Sequence, residues 1–98
     1  NKDGSVILNM NESYLEVTFR HGRPLAAYYY LPRRPKDKSW RTRRVEPGLV
    51  IDFTRDGKPI GIEIVAPDKL TLTAFNRVLR ERGFPRLKRA DLAPLIAA

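Results

Sequence analysis

The chain reads as a small α+β protein, an antiparallel β-sheet built from two hairpins and covered by one C-terminal amphipathic helix plus a short terminal helix. Three stretches predict this. "SYLEVTFR", residues 13–20, alternates Leu15, Val17 and Phe19 with Tyr14, Glu16 and Thr18, the period of two that a half-buried strand imposes. "VIDFTRDGKPIGIEIV", residues 50–65, sets apolar residues at every second position on either side of one Asp-Gly. "LTLTAFNRVLRERG", residues 70–83, changes to helical spacing, with Leu72, Phe75, Val78 and Leu79 on one stripe and Asn76, Arg77, Arg80 and Glu81 off it.

Taken in order, "SVILNM" at 5–10 is an edge strand or a tail that packs; propensity alone leaves both open. The first hairpin spans 13–31, turning through Gly22 and Pro24 into the aromatic-rich "LAAYYYL". Because side chains alternate along a strand, Tyr29 points opposite to Tyr28 and Tyr30, so at least one ring belongs to the core. Pro32 and Pro35 withhold backbone donors and disfavour helix before them, which makes 32–44 a loop. The second hairpin, 45–66, turns at Asp56-Gly57, a pair suited to a two-residue type I′ turn. Counting outward, Arg55 faces Lys58, Phe53 faces Ile60, Ile51 faces Ile62 and Leu49 faces Ile64, so six apolar side chains share the core face. The other face carries Val50, Asp52, Thr54, Gly61, Glu63 and Val65. Gly61, opposite Asp52, admits a neighbouring aromatic ring or marks a bulge. In the helical tail, 70–98, Thr71 is the N-cap and Gly83 the C′ residue, and a last short helix around 89–96 has Pro94 against it. With 98 residues the chain has room for one core, and one domain is expected.

Composition narrows the chemistry. There is no cysteine, which excludes disulfides and thiolate sites, and His21 is the single imidazole, most simply a turn residue. A zinc site or a Ser-His-Asp triad is therefore a poor fit, and no cofactor is expected. No apolar run approaches the roughly 20 residues that span a bilayer. These features suit a cytoplasmic protein without a membrane span. The formal charge is +8, and "RRPKDKSWRTRR", residues 33–44, sets seven cations against Asp37, a net +6 of that total. A surface of this kind favours polyanions or acidic proteins.

"VEPGLVIDFTRDGKPIGIEIVAP", residues 45–67, resembles the central motif of a bacterial family known as Domain of Unknown Function 2283, in which a strand ending in an acidic turn precedes a Gly-Ile-Glu-Ile-type strand. "YLEVTF" resembles that family's first strand, so the likeness covers about 13–67, and Gly61-Ile62-Glu63-Ile64 is its most specific part. The long basic connection between hairpins departs from the family's usual short one. The resemblance implies a small stand-alone bacterial protein without an established activity, with an accessory or antitoxin role beside ribonuclease-like toxins as one suggestion. The net charge of +8 runs against that suggestion, since an inhibitor of a basic ribonuclease is expected to be acidic.

Two function classes follow. The first is a non-enzymatic binding module in which Arg33, Arg34, Lys36, Lys38, Arg41, Arg43 and Arg44 fork onto phosphates or carboxylates and Trp40 adds a stacking contact. Tyr28, Tyr29 and Tyr30, directly before this segment, raise the further reading of a platform for unpaired bases. The second is a small metal- or carboxylate-dependent enzyme centred on Asp52 and Glu63, a diagonal pair on one sheet face. Two carboxylates alone are as readily explained by a solvated face, so the non-enzymatic class is preferred. A structural homodimer pairing through a sheet edge is a third reading.

Overall fold

The computed structural model describes residues 4–10 and 13–96. Six strands, β1 (Gly4–Met10), β2 (Ser13–Arg20), β3 (Arg23–Tyr30), β4 (Arg41–Glu46), β5 (Leu49–Phe53) and β6 (Pro59–Ile64), form an antiparallel sheet in the order β1-β2-β3-β6-β5-β4. Two three-stranded meanders are thus joined where β3 pairs with β6. One helix, α1 (Leu72–Glu81), and short 3₁₀ turns at Pro67–Lys69 and Arg89–Leu92 complete the described chain. None of its helices is long and apolar enough to cross a membrane.

The expected two hairpins are therefore too few. Of the two readings of "SVILNM", the edge strand holds: β1 pairs with β2 from Gly4 opposite Phe19 to Met10 opposite Ser13. The stretch 45–66 does not run as one hairpin. Pro47 and Gly48 break it, with Gly48 at φ +81° supplying the positive φ that the third position of a type II turn requires. The basic loop also ends earlier than expected, at Trp40, because Arg41, Arg43 and Arg44 lie in β4. A strand this rich in charge is tolerable at a sheet edge, where only one side of the backbone is paired.

The turn between β5 and β6 is one residue longer than the type I′ expectation. Thr54 N donates to Lys58 O at 2.8 Å and Gly57 N to Thr54 O at 3.0 Å, which encloses Arg55, Asp56 and Gly57. Only Gly57 of these has positive φ, and the Asp56 carboxylate is taken by the Thr54 hydroxyl. The extra residue shifts the ladder between Asp52 and Phe53, so Phe53 faces Pro59 rather than Ile60. Beyond the shift the expected register holds, with Ile51 opposite Ile62 and Leu49 opposite Ile64. The type I′ geometry instead occurs between β2 and β3, where His21 and Gly22 both have positive φ.

The core follows from that register. Leu15, Val17, Ala27, Tyr29, Leu49, Ile51, Ile62 and Ile64 are buried on one sheet face, with Phe75, Val78 and Leu79 of α1 laid over them. The Tyr29 ring meets Phe75 edge-on at 5.4 Å, so the middle tyrosine is the one that turns inward. At the start of α1, Thr71 Oγ1 accepts from Ala74 N; at its end Phe84 N donates to Leu79 O and Gly83 N to Arg80 O, a Schellman closure around Gly83 at φ +79°. The expected helix at 89–96 is reduced to the 3₁₀ turn at Arg89–Leu92, because Pro94 has no N–H to donate to Ala90. Leu92 and Leu95 still reach the core, while residues 97–98 lie outside the described chain. Asn76 fastens this tail, accepting from Leu87 N at 2.8 Å and donating to Leu87 O at 3.0 Å.

Candidate functional site

The segment between β3 and β4 is pinned at three points. Leu31 N donates to Ile60 O at 3.2 Å and Trp40 N to Phe53 O at 2.7 Å, which fixes its ends. Its middle is held by Asp37, which is buried. The Asp37 carboxylate accepts from Arg34 N at 2.9 Å and Lys58 Nζ at 2.8 Å, with the Arg34 guanidinium at 3.4 Å, and Asp37 N closes the turn on Arg34 O. The Lys58 hydrogen bond, with the Arg34 N–H behind it, holds the Asp37 carboxyl well below the usual carboxylate range. The one acid of the basic segment is therefore an internal clasp, and Arg34 is drawn onto it.

The remaining candidates fall into three groups around the sheet edge. Lys36, Lys38 and Trp40 line a cleft of about 260 Å³ with Arg55 and Asp56 from the β5–β6 turn. Trp40 is 59% exposed, and the Arg55 guanidinium lies 4.6 Å from its ring centre. Arg41 and Arg43 face the helix side of β4 and line a recess of about 390 Å³ with Phe53 and Arg82. The Arg41 guanidinium lies 5.6 Å from the Phe53 ring. Arg82, from the end of α1, and Arg55 were invisible as site residues in the sequence; nothing in its periodicity links either one to positions 36–43. Arg44 lies on the opposite side of β4, and Arg33 sits 6.0 Å from the Tyr30 ring on that same open face. Among the described residues none of Arg33, Lys36, Lys38, Arg41, Arg43 and Arg44 forms an ion pair with a carboxylate.

The register builds two cross-strand rows on the open face, Thr42-Asp52-Gly61-Tyr30-Tyr14 and Arg44-Val50-Glu63-Tyr28-Glu16. Asp52 is not left facing Glu63: it accepts the Tyr28 hydroxyl at 2.6 Å. To reach it the Tyr28 ring crosses Gly61, where any Cβ would overlap the ring, so Gly61 is the opening for an aromatic side chain. Burial first, and the bond to Asp52 second, push the Tyr28 phenol well above its ordinary range and keep it a neutral donor. Glu63 is exposed beside this pair. Among the described residues no group of three His, Cys, Asp or Glu side chains could hold a metal.

This arrangement of loop, edge strand and β5–β6 hairpin coincides with a recognised sequence unit. The model of a family described as Protein of unknown function (DUF2283) matches residues 26–66. Over that span the chain resembles DUF2283. The matched stretch begins inside β3 and takes in the pinned basic segment and β4 through β6, including Gly61-Ile62-Glu63-Ile64; β2 and α1 lie outside it. No curated protein and no solved structure matches the chain.

Proposed function

We propose that the protein is a non-enzymatic binding module whose basic margin, formed by the 31–40 segment and the β4 edge, holds the phosphate backbone of a nucleic acid. The observation that carries this reading is the fate of Asp37. By taking up the only acid of the segment inside a clasp, the fold leaves Arg33, Lys36, Lys38, Arg41, Arg43 and Arg44 displayed on an ordered scaffold. A solubilising charge run has no need of such an anchor, whereas a docking surface gains by losing less conformational freedom on binding. A cytoplasmic, bacterial setting belongs to this reading. The carboxylate enzyme is less well supported, since Asp52 is engaged by Tyr28. A β4-to-β4 homodimer is disfavoured because it would oppose arginines with arginines.

The test is a fluorescence-anisotropy titration of labelled oligonucleotides at about 50 and about 200 mM salt, with a variant carrying Arg33→Gln, Arg41→Gln, Arg43→Gln and Arg44→Gln. Arg34 stays in place because it closes the Asp37 clasp. Six phosphate contacts predict a fall in affinity of about a thousandfold between those salts for duplex and somewhat less for a single strand. Binding by the variant equal to that of the parent refutes the proposal. So does the absence of binding at the lower salt, which directs the search to an acidic protein.

A further inference from the structure

On the face of the sheet away from α1, three rings stand in a built arrangement. Tyr14 and Tyr30, cross-strand partners on β2 and β3, are stacked with centres 4.2 Å apart and planes 15° from parallel. Tyr28 meets Tyr30 edge-on at 4.6 Å. Both inner hydroxyls are occupied, Tyr30 donating to Glu16 at 3.0 Å and Tyr28 to Asp52 at 2.6 Å, so what the group has left to offer is the ring surface that its own stacking and edge contacts leave uncovered. Tyr28 lies across Gly61 instead of standing upright, so its ring rests on the β6 backbone and stays half-buried, with Tyr30 beside it. The apolar residues of α1 and of the C-terminal tail pack on the opposite face.

Charge on this face is arranged in zones. Its centre holds Glu16, Asp52 and Glu63, all repulsive to phosphate, while cations sit at the rim, Arg33 beside Tyr30 and Arg44 at the β4 edge. A duplex presents phosphate on its outside and cannot press onto such a centre. A single strand with splayed bases can: uncharged bases cover the rings, their amino groups donate to the exposed Glu63 carboxylate, and phosphates keep to the arginine rim. A second copy of this chain laid face to face would crowd both sets of carboxylates into one interface.

We infer that the open face is a stacking platform for the unpaired bases of a single-stranded nucleic acid, with Tyr28 and Tyr30 as the contact rings and Tyr14 bracing Tyr30. The inference rests on the reading of the basic margin as a phosphate site and adds the class of nucleic acid that it takes.

The deciding experiment compares four labelled probes of matched length by anisotropy: a single strand, its duplex, the same strand with most bases removed, and linear polyphosphate. The expected order places the single strand at least tenfold tighter than the base-free strand and tighter than the duplex. Tyr28→Ala should cost the single strand roughly tenfold while leaving polyphosphate unchanged, and Tyr28→Phe, which keeps the ring, should cost little. Equal binding of the intact and base-free strands overturns this inference while leaving the phosphate site standing. A failure to bind any of the four, polyphosphate included, removes both. The comparison of probes uses the unaltered protein, so it does not depend on a variant that folds.

Discussion

Gly61 offers the sharpest single-atom test of the open face. Its φ lies outside the left-handed region, so alanine is compatible with the backbone and, by restricting the unfolded chain, would contribute about 0.4–1 kcal/mol of stability. Against that, the new Cβ overlaps the hydroxyl end of the Tyr28 side chain, and the ring must move off Asp52 and Tyr30 to make room. Its departure removes a hydrogen bond to a carboxylate at 2.6 Å, of about 1.5–3 kcal/mol, and an edge contact with Tyr30 at 4.6 Å, of about 0.5–1.5 kcal/mol. Gly61→Ala should therefore destabilise the fold by about 2 kcal/mol, a fall in Tm of roughly 10 °C for a chain of this length. Urea and thermal unfolding followed by circular dichroism, on the parent, Gly61→Ala, Tyr28→Ala and the double variant, complete a cycle. With the ring already gone, alanine at 61 meets nothing, so it should stabilise by about 0.4–1 kcal/mol and the coupling energy should be about 2.5–3 kcal/mol. An equal cost in both backgrounds, or none in the first, would show that Tyr28 does not need this gap.

Other expectations concern the clasps. Asp37 has its pKa depressed in the fold, so its contribution is fully present above the unfolded value near 4 and drains as pH falls below it; Asp37→Asn should lower Tm at pH 6 and flatten the acid limb of a Tm-against-pH series. Tyr28 has its pKa raised, so the native phenol keeps its proton where the unfolded one loses it. Stability should then decline as pH rises through about 10, and Tyr28→Phe should lessen that decline. Asn76→Ala removes both hydrogen bonds to Leu87, about 2 kcal/mol together, and should speed amide exchange at Leu87 well before the sheet opens.

The features that could be read in the sequence were those written in periodicity and in local caps. Alternation gave the core face of β5 and β6, Thr71 and Gly83 bracketed α1, and the missing side chain of Gly61 did admit a ring, supplied by Tyr28. The Pro47-Gly48 turn also had a local signal, a proline and a glycine at the two central positions, which alternation on either side obscured. β4 was hidden by its own charge, because arginines suit an edge strand as well as a loop. The Asp37 clasp had no signal at all. Its partner Lys58 lies 21 residues away and becomes adjacent only once β5 and β6 have paired. The same holds for Arg82, which joins Arg41 and Arg43 by way of the helix crossing the sheet.

The arginines of β4 answer two demands with one set of charges, and distance separates them. An exposed edge strand is a template for a second copy, and that pairing would bring like side chains within about 5 Å, where repulsion is strong. A polyanion is drawn in over about a Debye length, roughly 8–10 Å at ordinary salt, long before any backbone contact. The charge that keeps copies apart at short range is thus the charge that gathers a phosphate chain at longer range. It can serve both ends only if it is not neutralised from within. The burial of Asp37 against Arg34 and Lys58 and the pairing of Glu46, the acid of β4 itself, with Arg77 at 2.9 Å meet that condition and leave the edge cationic.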